Sequence, residues 1–511
     1  MNTTPKAILL EANEIPFRVV DDYVEQHPGS HLAALMADSK QFDTVCEDQV
    51  ELDPWISWPT LHRGVIDEQH RILHLGQSLE SADRQYPPIW RLLSAAGVTV
   101  GVMGSLHSSH VPEDAANYAF YVPDFFANQS FAHPAEVTAF QQFNLLMTRM
   151  SARNVATDLP PVRSAADFLR FYATHGISRS TLTTTFKELW NERRDPHLKC
   201  RRRSIQPLLS LDIFLDLMRR TAPQFATLYT NHVAAAMHRY WAAAYPDDPD
   251  GSDMPADWRD RYRHEIHYAM DCLDIMIGRL MTYADKNGYL LIMASSMGQA
   301  AHKSEVTDGF TTVVDLNRFM ATMGLSTSEW TEQHAMVPCV SVTVDPARVD
   351  DFERRLSSIT CQGHAMSLRR REEPPLSYDR SGDDTFHLFV YFERYSGPQT
   401  ALLAGSPISF EQLGWGFHEH QDNIDCTGRH TPHGLLVVHD SAVPAVRGQG
   451  RSRISTLDIA PAILDHFGAA VPGYMNRADA AIMNPGVTGT AVVVRASGGG
   501  VETPVIREAA P

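Results

Sequence analysis

A mostly parallel β-sheet flanked by helices on both faces is the fold class this chain predicts, and three observations predict it. Short, near-continuous apolar runs recur at 7–10, 98–103, 225–229, 289–294 and 434–438. Runs of this length read as strands buried on both faces. Helical spacing fills the intervals between them, and strands alternating with helices build parallel α/β layers. Each run also ends on, or closely follows, a polar cluster, as a strand does when it emerges from a sheet.

Taken in order, the run at 7–10 ends at Glu11-Ala12-Asn13-Glu14. Residues 86–96 have helical spacing and Gly97 stops them, so 98–103 is the next strand and ends at Gly104-Ser105. The strand at 225–229 ends at Thr230-Asn231-His232, and that at 289–294 ends at Ser295-Ser296-Met297-Gly298. The last, at 434–438, follows Gly428-Arg429-His430. Two segments interrupt the pattern. Residues 151–222 are charged and helical in tone, which predicts a helical insertion, and 331–425 contain half-exposed alternating strands, which predicts a small α+β cap. The predicted division is a first core half over 1–150, a second over 223–330, a closing segment over 426–483, and a loosely held tail over 484–511.

Composition narrows the function classes. The chain has 511 residues, 43% of them hydrophobic, and a formal charge of −17. That charge argues against nucleic acid as partner, because phosphate backbones are held by clustered Lys and Arg. The one basic run, Lys199-Cys200-Arg201-Arg202-Arg203, reads as a solvated helix edge. Six scattered cysteines suit a reducing compartment, no apolar run approaches the roughly 18 residues of a membrane span, and a cytoplasmic location is expected. No phosphate-binding or dinucleotide glycine loop, no Gly-x-Ser-x-Gly elbow and no cysteine-based nucleophile is present.

In open α/β sheets the ligand crevice lies beyond the carboxyl ends of the strands. Asn13, Asn231, Ser296 and His430 mark those ends, although any one of them could simply open a loop.

Several segments, in this order, resemble the type I phosphodiesterase and nucleotide pyrophosphatase branch of the alkaline phosphatase superfamily. Ser57-Trp58-Pro59-Thr60 with Gly64 looks like its nucleophile turn, and Pro88-Ile89-Trp90 through Gly104-Ser105 like the helix and strand that follow. Tyr121-Val122-Pro123-Asp124 and His133-Pro134 resemble the next loop. His430-Thr431-Pro432-His433-Gly434 resembles its late metal ligand, and Ser455-Thr456-Leu457-Asp458 with Pro461 its closing helix. The resemblance implies an alkaline-phosphatase-like fold and two zinc-like ions activating a Thr or Ser. Carried over, Thr60 is the nucleophile, presented at a helix start, and otherwise no more than a helix cap. His62, beside it, is a candidate acid/base or phosphate contact.

The ligand positions depart from the family pattern. Asn13 replaces the first Asp, with Glu11 and Glu14 flanking it. Asn231 replaces the next, with His232 and His238 near the expected His, and Ser296-Met297-Gly298 stands where Asp-His-Gly is expected. His430 alone matches cleanly. The candidate metal set is therefore Glu11, Asn13, Asn231, His232, His238, Ser296 and His430. It implies a divalent ion, zinc or manganese, at reduced occupancy or in altered geometry. Three readings follow: a rebuilt site using Glu11, Glu14, His62, His232 or His238; a pocket that binds a phosphorylated or sulfated ligand without hydrolysis; or a retired core acting as a scaffold. The leading expectation is a phosphoryl-ester hydrolase or transferase whose small substrate is phosphorylated, or linked to a sugar or nucleotide.

Overall fold

The computed structural model describes residues 4–487 apart from 128, 152–169, 173, 249–250, 252, 304–307, 370–373, 394–396, 421–425, 446–449, 478 and 480. Its centre is an eight-stranded sheet built from β1 (Ala7–Ala12), β2 (Lys40–Val45), β3 (Val100–Met103), β4 (Phe120–Val122), β5 (Phe225–Thr230), β6 (Leu290–Ala294), β7 (His433–His439) and β8 (Ser452–Ser455). The strand order is β8-β2-β7-β6-β1-β5-β3-β4. From β6 through β4 every neighbouring pair is parallel. The chain is thus α/β with a mostly parallel sheet, and all five expected strands lie in it.

The run at 434–438 is the exception in direction, because β7 is antiparallel to both β6 and β2. The cause is local. Just past β6, Gly298–Ala301 pairs antiparallel with Gly428–Thr431, which leads into β7. β6 and β7 are therefore the arms of one hairpin, and antiparallel arms need no helical crossover. Residues 302–427 are an excursion from that hairpin.

Side-chain alternation along β1 assigns the two faces. Ala7 and Leu9 pack with Trp58, Trp90 and Ile463, while Ile8, Leu10 and Ala12 pack with Leu211, Phe214, Met270 and Ile277. Those partners lie on helices on opposite sides: α1 (Pro54–Arg63), α2 (Ile89–Ala95) and α7 (Ile459–His466) on one, α4 (Arg202–Thr221) and α6 (Glu265–Asn287) on the other. β1 is buried along its whole length, as a central strand between two helical layers must be. Its neighbours β5 and β6 bring three loops together at one end of the sheet, the place where such folds bind ligands.

The helical segment contains α3 (Arg179–Arg194) followed by α4, and α4 packs Leu208, Leu211 and Phe214 into the central core, so it belongs to the sheet's helical layer. Residues 152–169 lie outside the described residues. The basic run before α4 is not a solvated edge. Arg201 donates to both oxygens of Glu265 at 2.7 and 2.8 Å, and Arg202 donates to both of Glu192 at 2.8 Å. Charges spaced this closely stay partly buried because carboxylates on neighbouring helices meet them in bidentate geometry.

Between 330 and 415 a five-stranded and a four-stranded sheet enclose a core of their own around Phe352, Leu376, Phe386 and Leu388. Contacts between this unit and the main body include the His74 ring, stacked on His387 with centroids 3.9 Å apart, and His334 Nε2, which donates to the Ala127 carbonyl at 3.1 Å. Among the described residues no helix is long and apolar enough to cross a membrane. Of the expected loose tail only 484–487 are described.

Several imidazoles are buried and held neutral. Burial, with Arg63 nearby, pushes His70 down to about 3, burial lowers His107 and His232 to about 4, and burial with the stacked His74 lowers His387 to about 2. Each binds a proton near pH 6.5 once unfolded, so the unfolded chain takes up more protons below that pH. Stability is then lost as pH falls from 6.5, by about 1.4 kcal/mol per unit for each site. Burial raises Asp48 and Asp124 to about 6, which opposes the loss only between pH 6 and about 4. Urea midpoints measured at pH 7.0 and 5.5 are expected to fall, and His387→Gln to flatten the fall. A pH-independent midpoint over that range would contradict it.

Candidate metal centre at the strand ends

The turn after β1 places Glu14 at the centre of the crevice. Its backbone is left-handed, with φ of 59°, a conformation that non-glycine residues adopt rarely and at a cost. The turn buries the carboxylate, which is 2% exposed. Asn13 Nδ2 donates to its Oε1 at 2.7 Å and Gln299 Nε2 donates to its Oε2.

Two imidazoles converge on Oε2. His238 Nε2 lies 2.9 Å from it and His430 Nε2 3.2 Å, and the two Nε2 atoms are 3.2 Å apart. His238 comes from α5 (His232–Ala244), and His430 from the ribbon strand opposite Gln299. The other ring nitrogens are anchored. His238 Nδ1 donates to the Gly428 carbonyl at 2.8 Å, and His430 Nδ1 faces Asp53 Oδ1 at 3.4 Å. Anchoring Nδ1 in this way turns the Nε2 lone pair inward, as outer partners do for metal-bound histidines.

This trio fits a divalent ion. Two Nε2 lone pairs cannot face each other at 3.2 Å without a proton or cation between them. Ligand bonds of about 2.0–2.1 Å in tetrahedral array space the ligand atoms about 3.3 Å apart, close to the three separations found. The Gln299 Oε1 atom beside Glu14 is buried and has no hydrogen-bond partner. The His238 and His430 side chains are 30% and 20% exposed, so the trio opens to solvent. Without an ion, burial works to raise Glu14, but His430 and His238 outweigh it and hold the carboxyl well below its usual range. Burial likewise works to lower His238, and Glu14 lifts it well above the usual imidazole range. Protons thus fill the role a cation would take.

The other expected ligands lie elsewhere. Asn13 is fully engaged: Nδ2 also donates to Asn231 Oδ1 at 2.7 Å, and Trp58 Nε1 donates to Asn13 Oδ1 at 2.7 Å. Ser296 pairs with Ser57 at 2.8 Å between hydroxyls. The pairs Asn13–Asn231 and Ser57–Ser296 are uncharged. Glu11 sits on the α1 side of β1, taking His62 Nε2 at 2.9 Å and the Ser105 hydroxyl at 3.0 Å on Oε1, while its Oε2 is buried and unpartnered. His232 has both ring nitrogens occupied, by the Thr230 hydroxyl at 2.6 Å and the Ala269 carbonyl at 3.1 Å. Neither Glu11 nor His232 belongs to the converging trio.

Thr60 is not at a helix start. α1 begins at Pro54, with Asp53 as its cap residue, and Pro59 and Thr60 are well inside it. The sequence motif obscured this because Pro59 suggests a first-turn proline. A proline so far into a helix leaves the carbonyl four residues back without a donor. Here that carbonyl is Trp55, and His107 Nε2 donates to it at 2.7 Å. Thr60 itself donates to Asp48 Oδ1 at 2.6 Å and meets His70 Nε2 at 3.0 Å. The Ile72 amide donates to His70 Nδ1, so Nε2 carries the proton and donates to Thr60, which leaves Asp48 Oδ1 at 2.6 Å and the Ile56 carbonyl at 3.3 Å as acceptors for the Thr60 proton.

Asp53 is the residue that sequence reasoning missed. Asp before a helix-opening Pro reads as an N-cap, yet its side chain makes no capping bond and turns to His430 instead.

No protein-family model matches the chain, and no curated protein sequence matches it. Solved structures of murine ectonucleotide pyrophosphatase/phosphodiesterase 5 align over 92% of this chain and 97% of theirs, at TM-score 0.39 and 12% identity. An inactive form of that protein in complex with AMP gives 0.40 and 13%, and the human protein 0.38 and 12%. The likeness is distant and says nothing about the reaction.

The Trp55–His107 bond is separable from the metal trio. His107→Phe is expected to cost about 1–3 kcal/mol of unfolding free energy by orphaning the Trp55 carbonyl. The same change in a Pro59→Ala background should cost distinctly less, because the new amide at 59 reaches that carbonyl. Equal costs in a double-mutant cycle would show that His107 acts through packing alone.

Proposed function

We propose that this chain is a metal-dependent hydrolase or transferase of phosphoryl-type esters, built on one divalent ion and not two. Glu14, His238 and His430 would hold the ion, with Asp53 orienting His430. The observation that carries the reading is the convergence of three ligand atoms within 3.2 Å at the carboxyl end of the sheet, on side chains whose other polar atoms are anchored. A bound zinc or manganese supplies Lewis-acid polarisation of a phosphoryl oxygen. The positions at which the family pattern expects the second ion's carboxylates are neutral here, and a second dication without compensating charge is disfavoured.

Of the two hydroxyls on α1, Ser57 is the better nucleophile. Its partner is Ser296 at the end of β6, so it belongs to the strand-end group, whereas Thr60 is committed to Asp48 and His70. Asn231, exposed at the end of β5 and held through its Oδ1 by Asn13, would offer a neutral amide to a phosphoryl group without adding charge. The site therefore suits an ester carrying one negative charge at phosphorus, a diester such as a sugar- or nucleotide-linked phosphate. Water or a second alcohol would complete the reaction, and the side chains do not select between them.

A second reading has a specific observation in its favour. Ser57 and Ser296 are fully buried and paired with each other, and Asn13 is committed to Glu14, Asn231 and Trp58, as they would be in a core that binds a phosphorylated ligand without cleaving it.

The two separate on a panel of aryl and nucleotide phosphodiesters with zinc- or manganese-loaded protein. The proposal expects turnover, a loss of on the order of 10³-fold or more in Ser57→Ala with metal retained, and less than tenfold in Thr60→Val. Loss in Thr60→Val with Ser57→Ala still active would move the nucleophile to Thr60. Absence of turnover from metal-loaded protein, with phosphate esters still raising its melting temperature, would establish the binding reading.

A further inference from the structure

Helix α3 is turned inside out. A surface helix normally buries an apolar stripe and exposes its charges. In α3 the buried residues are Thr181, Glu188 and Glu192, all polar. Glu192 is locked to Arg202 by two 2.8 Å hydrogen bonds, and Glu188 faces Arg201 at 3.9 Å. The large apolar residues point outward: Leu182 is 51% exposed, Phe186 71%, Leu189 46% and Trp190 49%. Their spacing of four, three and one places them in one stripe along the helix.

The charges are segregated by the same polarity. Both glutamates of the helix face inward and are paired, while its four basic residues, Arg179, Lys187, Arg193 and Arg194, are all exposed. Arg194 lies over the Trp190 ring at 5.1 Å. An outward apolar ridge with Phe and Trp, on a helix whose exposed charges are all positive, stands on a chain whose formal charge is −17. At physiological ionic strength the Debye length is about 8 Å, so the ridge is felt by a surface pressed against it while more distant acidic residues are screened.

We propose that α3 is an interfacial helix that docks the protein onto an anionic lipid surface, its Leu, Phe and Trp side chains entering the headgroup layer and its Arg and Lys side chains meeting acidic headgroups. The occupant follows from charge and shape. A second copy packed about a two-fold axis would set this basic ridge against itself and bring like charges together. An acidic protein helix would satisfy the charge, but such a helix is received in a groove between elements and this stripe lies along the single helix α3, whereas a bilayer surface needs no groove. The helix lies on the surface and does not span it. The inference is independent of the metal centre.

The test is co-sedimentation of the full chain with vesicles of phosphatidylcholine alone and of phosphatidylcholine with phosphatidylserine. Wild type is expected to bind the anionic vesicles, and to lose binding as sodium chloride is raised. Phe186→Ser with Trp190→Ser should weaken partitioning by about tenfold or more. Lys187→Glu with Arg193→Glu should weaken it by about fivefold for each charge removed. All four positions are exposed, so both variants are expected to keep the wild-type melting temperature and metal content, which separates lost docking from lost folding. Equal binding by wild type and both variants would overturn the proposal, as would no binding to anionic vesicles. A wild-type dimer by light scattering that both variants abolish, without vesicle binding, would assign the ridge to a second copy instead.

Discussion

The buried carboxylate of Glu14 is the constraint on which the rest of the site depends. An ionised carboxylate at 2% exposure is costly unless positive charge and hydrogen bonds surround it. The chain meets that demand from four directions: Asn13 beside it, Gln299 and His430 from the ribbon, and His238 from α5. These partners come from segments far apart in sequence, so satisfying one charge joins β1, α5 and the hairpin that carries β7. The strained left-handed backbone at Glu14 is explained by the same demand, since it turns the side chain inward as soon as β1 ends.

Charge also accounts for what surrounds this centre. Glu14 Oε2 is the one carboxylate oxygen that both Nε2 atoms approach, and Asp53 meets only the far nitrogen of His430. Asn13 pairs with Asn231 and Ser57 with Ser296 without adding charge. The Glu11–His62 pair is a separate arrangement on the other side of α1 from solvent, tying β1 to α1 and to Ser105. Asp48, Thr60 and His70 are a third, which fixes the loop after α1. Sites that look like one cluster in sequence are thus divided by α1 and by the alternation of β1.

Much of the sheet was legible because buried parallel strands leave a direct trace: apolar runs bounded by polar turns. The direction of β7 was not, since a hairpin with residues 302–427 inserted in it looks the same as two separate strands. At the site, His238 and His430 were visible as imidazoles near strand ends, and Glu14 as a flanking acid. Their convergence was not visible, because it depends on a left-handed turn and on the register of a short ribbon. Asp53 was hidden behind its role as a helix-start signal, and Thr60 was misplaced by a proline that sits inside a helix. The inverted polarity of α3 was equally hidden, because a helical moment does not say which face is turned outward.

The claim most exposed to measurement is that the centre holds one ion through Glu14. Calorimetric titration of metal-stripped protein with zinc addresses it directly, with Glu14→Gln alongside. The account predicts one equivalent bound by the wild type, and at least a hundredfold weaker binding in Glu14→Gln with the fold retained. Two equivalents, or binding unchanged in Glu14→Gln, would contradict it.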